Sequence, residues 1–439
     1  MTWFSRALAT MVACLGLAGP AVANSPITDG DFRPYDPKRA ELGQLLFYDK
    51  ILSGNKNISC GTCHNHDTGT SDGLSLGMGE GGEGVGPNRR VVNASQTPDH
   101  RVPRNSPALF NLGHKSISTL FHDGRTSVSQ FGVKRFNSPA GDKLPDGLQS
   151  IVAVQALFPM TSGIEMAGGP TENLIGAAAA RGPEHVWPLI VDRLRMNPEY
   201  VSLFANAYDD IETAEDITIA HVANAIDDYE NSEWRSFNSR VDQYLAGVTD
   251  ALDPSEAAGA ALFFGDAGCS NCHSGPLYTD QGFRALAVPP FGPGKEPGYD
   301  GVPRDPGRYA VTGHVDDMFR FRVPSLRNLK ETGPYGHNGA YATLEAMIRH
   351  HMDPMGALSR WDRSQLILPI GVPGDADFLT WLSENEMNMY RVKYDVFVPN
   401  MRDQEIDQIV AFLEALTEPE ASAGRLGKPK EVPSGLPVD

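Results

Sequence analysis

Apolar residues recur at helical spacing in short stretches separated by long polar connections rich in Gly and Pro, and the same order of elements occurs twice along the chain. Asp36-Pro37 opens a stretch reading Ala40, Leu42, Gly43, Leu45, Leu46, Phe47, and Asp253-Pro254 opens another reading Ala257, Gly259, Ala261, Leu262, Phe263, Phe264. Each start sets an Asp at the N-cap and Pro at the first helical position, and Glu256 adds a capping box to the second. The spacing predicts further helices over Pro183 to Arg195, Pro198 to Tyr208 and Ile217 to Trp234, the last through Ile219, Val222, Ala223 and Ile226. A final amphipathic helix, Gln404 to Leu416, places Ile406, Ile409, Val410, Leu413 and Leu416 on one face. Such a helix closes a unit by packing on its first helix or back on the N-terminal half. After Pro419 the chain is Pro- and Lys-rich without period, which predicts a disordered tail over 419–439.

Both capped helices run into a five-residue pattern, Cys60-Gly61-Thr62-Cys63-His64 and Cys269-Ser270-Asn271-Cys272-His273. Two thiols three positions apart reach the two vinyl groups of one porphyrin, and the adjacent imidazole meets the iron. His64 and His273 are therefore the expected proximal ligands of two covalently bound haems c. A zinc ribbon would place its second Cys pair roughly 15–20 residues on, and a thioredoxin-like pair has no use for the following His. The echo continues. Asn105-Ser106-Pro107-Ala108-Leu109-Phe110-Asn111 and Phe121-His122-Asp123-Gly124 answer Arg322-Val323-Pro324-Ser325-Leu326-Arg327-Asn328 and Gly336-His337-Asn338-Gly339. The pattern predicts a mainly α fold of two cytochrome c-like haem domains, 24–240 and 241–418, related by a pseudo-twofold axis with long irregular loops. The boundary falls near Phe237 to Leu252. Two haems in one polypeptide imply electron transfer.

Arg6, the apolar run Ala7 to Gly19 and Ala21-Val22-Ala23 before Asn24 read as a secretory signal over 1–23. Cys14 lies inside that run with Met11 where a lipobox prefers Leu, so no lipid anchor is expected. The four remaining cysteines all belong to the haem motifs, which leaves no disulfide framework and points to an exported, periplasmic chain. No later segment approaches the ~18 consecutive apolar residues of a membrane span, so a soluble mature chain is expected. A formal charge of −18 argues against nucleic acid. The acidic surface either steers a basic electron donor or is an ordinary property of an exported protein. Gly73 to Gly86, with seven glycines, and the Pro- and Gly-crowded Ala287 to Gly307 are either plain surface loops or the lining of haem access.

The ligand opposite each proximal His decides between carrying electrons and activating a substrate. After the second xHxG corner, His350, His351, Met352 and Met355 are candidates for the second haem, against a reading in which all are surface side chains. In the first unit the acids and histidines are His66, Glu80, Glu83, His100, His114, His122 and Glu165. Glu165 sits in the apolar run Pro159 to Met166, as either a paired structural acid or a proton carrier whose pKa burial would raise.

The order CxxCH, NSPALFN, FHDGR, a Glu-Met pair, a second CxxCH, VPSLRN and GPYGHNGAYATLEAMIRHH resembles the bacterial di-haem cytochrome c peroxidase and MauG family from Asp36 to Leu416. The resemblance implies a peroxide-reacting first haem, an electron-transferring second haem, and Glu165 as the distal acid that moves a proton between the two oxygens of hydrogen peroxide. It implies His351, seventeen positions after Pro334 of Thr332-Gly333-Pro334-Tyr335, as distal ligand of the second haem. The family has Met or Tyr there, so an imidazole would lower that haem's potential, with Met352 the alternative ligand. Leu76 to Gly82 holds no His to block the first iron, as in MauG. His122 replaces a Trp placed between the haems and is a candidate relay. Calcium would lie between the domains on the side chain of Asn105 and the carbonyls of Thr332 and Pro334, oxygen donors that suit it. The resemblance thus implies a peroxidase fed by a small cytochrome c or cupredoxin. A MauG-like enzyme that oxidises residues of a partner protein is the second reading, and a plain electron-carrier cytochrome the third. Family members also often form homodimers.

Overall fold

The computed structural model describes residues 26–93, 101–130, 135–297, 302–371 and 375–439. The expected signal segment and His100 lie outside the described residues. The first half contains α1 (Pro37–Tyr48), α2 (Cys60–Cys63), α3 (Ile151–Ala156), α4 (Leu174–Ala179), α5 (Trp187–Arg195), α6 (Pro198–Ala207) and α7 (Ile219–Glu233). A small antiparallel sheet, β1 (Thr119–Leu120), β2 (Thr126–Val128) and β3 (Phe136–Asn137), lies between α2 and α3. The second half contains α8 (Arg240–Leu245), α9 (Pro254–Phe264), α10 (Tyr309–Thr312), α11 (Leu344–Met352), α12 (Pro354–Arg360), α13 (Leu379–Leu382), α14 (Glu384–Lys393) and α15 (Asp403–Ala415). Its strands β4 (Phe283–Arg284), β5 (Glu296–Pro297), β6 (Pro303–Arg304) and β7 (Phe321–Arg322) pair as β4 with β7 and β5 with β6. Among the described residues no helix is long and apolar enough to cross a membrane.

The capped starts form as their sequences dictate. Asp36 accepts from the amides of Lys38 and Arg39, and Asp253 accepts from those of Ser255 and Glu256 while Glu256 reaches back to the Asp253 amide. Each capped helix then crosses the last long helix of its own half, α1 on α7 and α9 on α15. Both crossings need a glycine. A Cβ on Gly43 would stand 1.9 Å from the Ala225 carbonyl oxygen, and one on Gly259 would stand 1.8 Å from that of Gln408. The backbones therefore meet directly, and the aromatic residues beside the glycines close the contact: Phe47 against Tyr229, with ring centroids 5.2 Å apart, and Phe263 against Phe412 at 5.1 Å.

The tail corrects an expectation. Residues 421–439 are ordered and run back across the first half. The amides of Leu426 and Gly427 donate to the Glu233 carboxylate at 2.7 and 2.6 Å, and Gln44 donates to the carbonyls of the same two residues at 3.1 and 2.8 Å. Val432 is buried, Ser434 donates to Asp49 at 2.6 Å, and Asp439 accepts from Lys50 and from Thr62 inside the first CxxCH. Periodicity could not reveal this segment, because an extended strap is held by hydrogen bonds to distant residues and not by an apolar face.

Gly259→Ala should push α15 off α9 and cost about 1–3 kcal/mol, the usual penalty of overpacking. Urea unfolding of the holo-protein checks this, and unchanged stability would mean the crossing is loose.

Candidate haem centres and the seam between them

A cavity of about 510 Å³ that runs from the second half to the seam is lined by Cys269, Cys272, His273, Met347 and His351 on one side and by Asn105 and His122 on the other, among others. That volume lies within the ~300–1,000 Å³ typical of cofactor sites. A carbonyl can only accept, so the Nδ1–H of His273 donates to the Tyr278 carbonyl at 3.1 Å, and that of His351 donates to the Met347 carbonyl at 2.8 Å. Both rings are left with Nε2 as the free, basic nitrogen, the tautomer an axial ligand needs. Burial holds His273 neutral at about 4, and the nearby His351 adds to the depression. His350 is already spent: Nδ1 meets the Tyr341 hydroxyl at 2.7 Å and Nε2 the Leu286 carbonyl at 2.9 Å. Met352 is not among the residues lining the cavity, and Met355 packs against the separate cluster of Phe319, Leu358 and Tyr390.

The first half repeats the arrangement. His64 donates from Nδ1 to the Thr70 carbonyl at 3.0 Å, and Ser106 stands 3.3 Å from the same nitrogen while donating to the Cys63 carbonyl at 2.9 Å. Thr70 and Tyr278, which supply the two carbonyls, both have left-handed backbones, at φ of 61° and 54°. Burial pushes the thiols of Cys60 and Cys63 up to about 12.

Glu165 lies in a π-helical turn, Gly163–Ala167, and burial raises its carboxyl above the usual range against the lowering pull of Arg125, Lys295 and Arg104. The same carboxyl raises the Cys63 thiol, so it is close to the first attachment turn. The glycine-rich loop is pressed onto its turn. The Glu80 amide donates to the Ile164 carbonyl at 3.0 Å, and Gly79, at φ 69°, approaches so closely that a Cβ would stand 2.0 Å from that oxygen. Glu80 accepts from Asn55 and Asn57 at 2.8 and 2.6 Å, and His114 is bonded to Ser116 at 2.8 Å beside Phe32; both serve local structure.

The two xHxG corners meet at the seam between the halves. The Asn105 amide donates to the His337 carbonyl at 2.9 Å, His122 donates from Nε2 to the Asn105 carbonyl at 3.0 Å, and the Arg322 amide donates to the His122 carbonyl at 2.7 Å. Burial, then Arg104, holds His122 neutral at about 4. His337 stacks on Phe321 with centroids 3.6 Å apart. Sequence reasoning missed what secures this seam. Arg104 binds Asp305 through two hydrogen bonds, at 2.6 and 2.8 Å, and Asp123 through a third at 2.7 Å, while Lys295 reaches Asp123 at 2.5 Å. Only the size of the separation in sequence hides it, since no local period marks an ion pair.

Asn105 donates through Nδ2 to the Pro334 carbonyl at 2.8 Å, and Thr332 lines the same cavity. Two of the three expected calcium donors, Asn105 and Pro334, are therefore in direct contact through this hydrogen bond. Among the described residues no group of three or more His, Cys, Asp or Glu is placed to hold a metal ion.

A profile of the di-haem cytochrome c peroxidases matches residues 37–250. The methylamine utilization protein MauG of Methylorubrum extorquens is 30% identical over 320 residues, 73% of this chain and 70% of that protein. The cytochrome c551 peroxidase of Pseudomonas aeruginosa is 30% identical over 324 residues, 73% of this chain and 74% of that protein. At the level of fold, a MauG-like protein associated with microbial copper homeostasis matches with a TM-score of 0.59 and 24% identity, covering 93% of this chain and 97% of that one. The diheme peroxidase BthA from Burkholderia thailandensis matches with a TM-score of 0.58 and 22% identity, over 89% and 88%.

Burial alone would raise Asp305, but the charge and hydrogen bonds of Arg104 outweigh it and hold the carboxyl at about 2. A carboxyl depressed from its unfolded value of ~3.9 stabilises the fold fully above that pH, and this stabilisation is lost as pH falls toward the folded value. Unfolding measured between about pH 4 and pH 2 should show that loss, about 2 kcal/mol. Arg104→Leu should abolish this component and cost about 3–5 kcal/mol at neutral pH by stranding buried carboxylates.

Proposed function

Because the chain belongs to the family of di-haem cytochrome c peroxidases, oxidoreductases that act on peroxide, we propose that it reduces hydrogen peroxide to water at the haem of Cys60, Cys63 and His64. Electrons enter through the haem of Cys269, Cys272 and His273 from a small cytochrome c or cupredoxin. The observation that carries this reading is an asymmetry: His351 presents a free Nε2 to the second cavity, while Glu165, a carboxyl raised by burial, stands near the first attachment turn.

Bound haem would supply the electrons that cleave the O–O bond. The residues of the chain supply orientation and protons. His64 and His273, fixed through Nδ1 by the Thr70 and Tyr278 carbonyls, would hold the two haems, and His351 would be a further ligand to the second. Glu165 takes the proton from the near oxygen of peroxide and returns it to the far one, so that water departs. The arginines and Lys295 around Glu165 make its ionised form accessible, and burial makes its neutral form accessible. His122, neutral at the seam and bonded to Asn105, is suited to relay charge between the halves. The repeated glycine crossings support a pseudo-twofold relation, and Asn105, Thr332 and Pro334 would hold calcium across the seam. The chain would work in the periplasm after removal of residues 1–23, with a homodimer as the family's common assembly.

A MauG-like oxidation of a partner protein is the second reading. It is supported by Leu76 to Gly82, where no His is present to block the first iron.

Steady peroxide-dependent oxidation of a reduced small cytochrome is the expected activity. Glu165→Gln should slow it by about 10²–10⁴-fold with both haems still attached. Partner modification without such turnover would favour the second reading, and an undiminished rate would remove Glu165 from the reaction. His351→Met should raise the potential of one haem and leave the other unchanged. In a redox titration, no shift would assign the ligand elsewhere.

A further inference from the structure

Beside the first attachment turn lies a chain of hydrogen bonds that the reaction above does not use. Tyr48, the last residue of α1, is fully buried, and its ring lies so close to the CxxCH turn that a Cβ on Gly61 would stand 2.3 Å from Cε1. Its hydroxyl is bonded to Nδ1 of His66, whose Nε2 is 3.1 Å from Oε1 of Glu233. The direction of these bonds follows from the far end. Glu233 already accepts the amides of Leu426 and Gly427, so it is an acceptor for His66 as well. Nε2 therefore carries a hydrogen toward Glu233, and in that tautomer Nδ1 accepts from Tyr48. The result is a phenol aimed at a base, and the base is backed by a carboxylate.

That arrangement suits one chemistry. Burial pushes the Tyr48 phenol far above its usual range, so it remains protonated. A buried phenol that gives up an electron becomes strongly acidic and must lose its proton in the same event, along a hydrogen bond already in place. Trp234, 5.1 Å from His66 between ring centroids, and the buried Tyr229 beside it are neighbouring oxidisable rings, but the Nε1 of Trp234 and the hydroxyl of Tyr229 are buried with no hydrogen-bond acceptor of the kind His66 offers Tyr48. Either would have to hold a positive charge in a dry site. Tyr48 escapes that cost.

We propose that Tyr48 is a redox-active residue that stores one of the two oxidising equivalents peroxide delivers to the first haem centre, with His66 as its proton acceptor and Glu233 positioning His66. This rests on the peroxide reaction at that centre. In the step, Tyr48 loses one electron to the centre and its O–H bond breaks. The proton moves to Nδ1 of His66, leaving a neutral phenoxyl radical beside an imidazolium paired with Glu233. A one-electron reductant later supplies the electron, and the proton returns from Nδ1 to the oxygen. Atoms and charge are restored.

The test is freeze-quenched paramagnetic resonance of the holo-protein after one equivalent of peroxide, with the haem absorption followed in parallel. The expected signal is an organic radical that narrows when ring-deuterated tyrosine is incorporated, vanishes in Tyr48→Phe, persists in Trp234→Phe and falls at least tenfold in His66→Gln. His66→Gln keeps Tyr48 in place, so it tests the assignment even if Tyr48→Phe does not attach haem. A signal indifferent to deuteration, one that survives Tyr48→Phe, or a haem that responds to peroxide without any radical would overturn the role of Tyr48 and leave the peroxidase reading intact. A haem whose absorption does not respond to peroxide would overturn both.

Discussion

A buried guanidinium ties the two halves of the molecule together. Arg104 comes from the first half, Asp305 from the second, and their two parallel hydrogen bonds are buried where each carboxylate and each charge would be costly alone. Because a planar fork must meet a planar carboxylate, this contact fixes orientation as well as distance. Asn105, the next residue, is thereby placed against the His337 carbonyl and Pro334, and His122 against Asn105. The neutrality of His122 follows partly from the same positive charge. The contacts of Asn105 and His122 at the seam are thus placed beside an ion pair that neither residue joins.

Within each half a local device does comparable work. Thr70 and Tyr278 adopt left-handed backbones that turn their carbonyls onto Nδ1 of His64 and His273. Either imidazole could otherwise rotate or change tautomer. Left-handed geometry is unfavourable for residues other than glycine, and the surrounding hydrogen bonds of Thr70 and the packing of Tyr278 hold it in place.

The sequence disclosed whatever was local. Capped helix starts at Asp36 and Asp253, the two CxxCH turns, and the helices now bounded by Trp187–Arg195, Pro198–Ala207, Ile219–Glu233 and Asp403–Ala415 were legible from spacing within a few residues of one another. Among adjacent histidines, helical periodicity alone does not separate His350 from His351, and it is the family resemblance that singles out His351. Only the structure shows that one has both nitrogens bonded and the other keeps one free. Contacts between residues far apart in the chain left no pattern to read: Arg104 with Asp305, Tyr48 with His66 and Glu233, and the whole of 421–439. The tail was misread for the same reason, since Pro and Lys without period describe an extended strap as well as a disordered one.

That strap has a bearing on how the molecule is assembled. Thr62 inside the first attachment turn and Lys50 beside it find their partner in Asp439, and Glu233 finds its amide donors at Leu426 and Gly427. The first attachment turn is encoded early and braced late: Thr62 meets its partner 377 positions downstream, so the turn gains this support only when the chain has folded back on its own beginning.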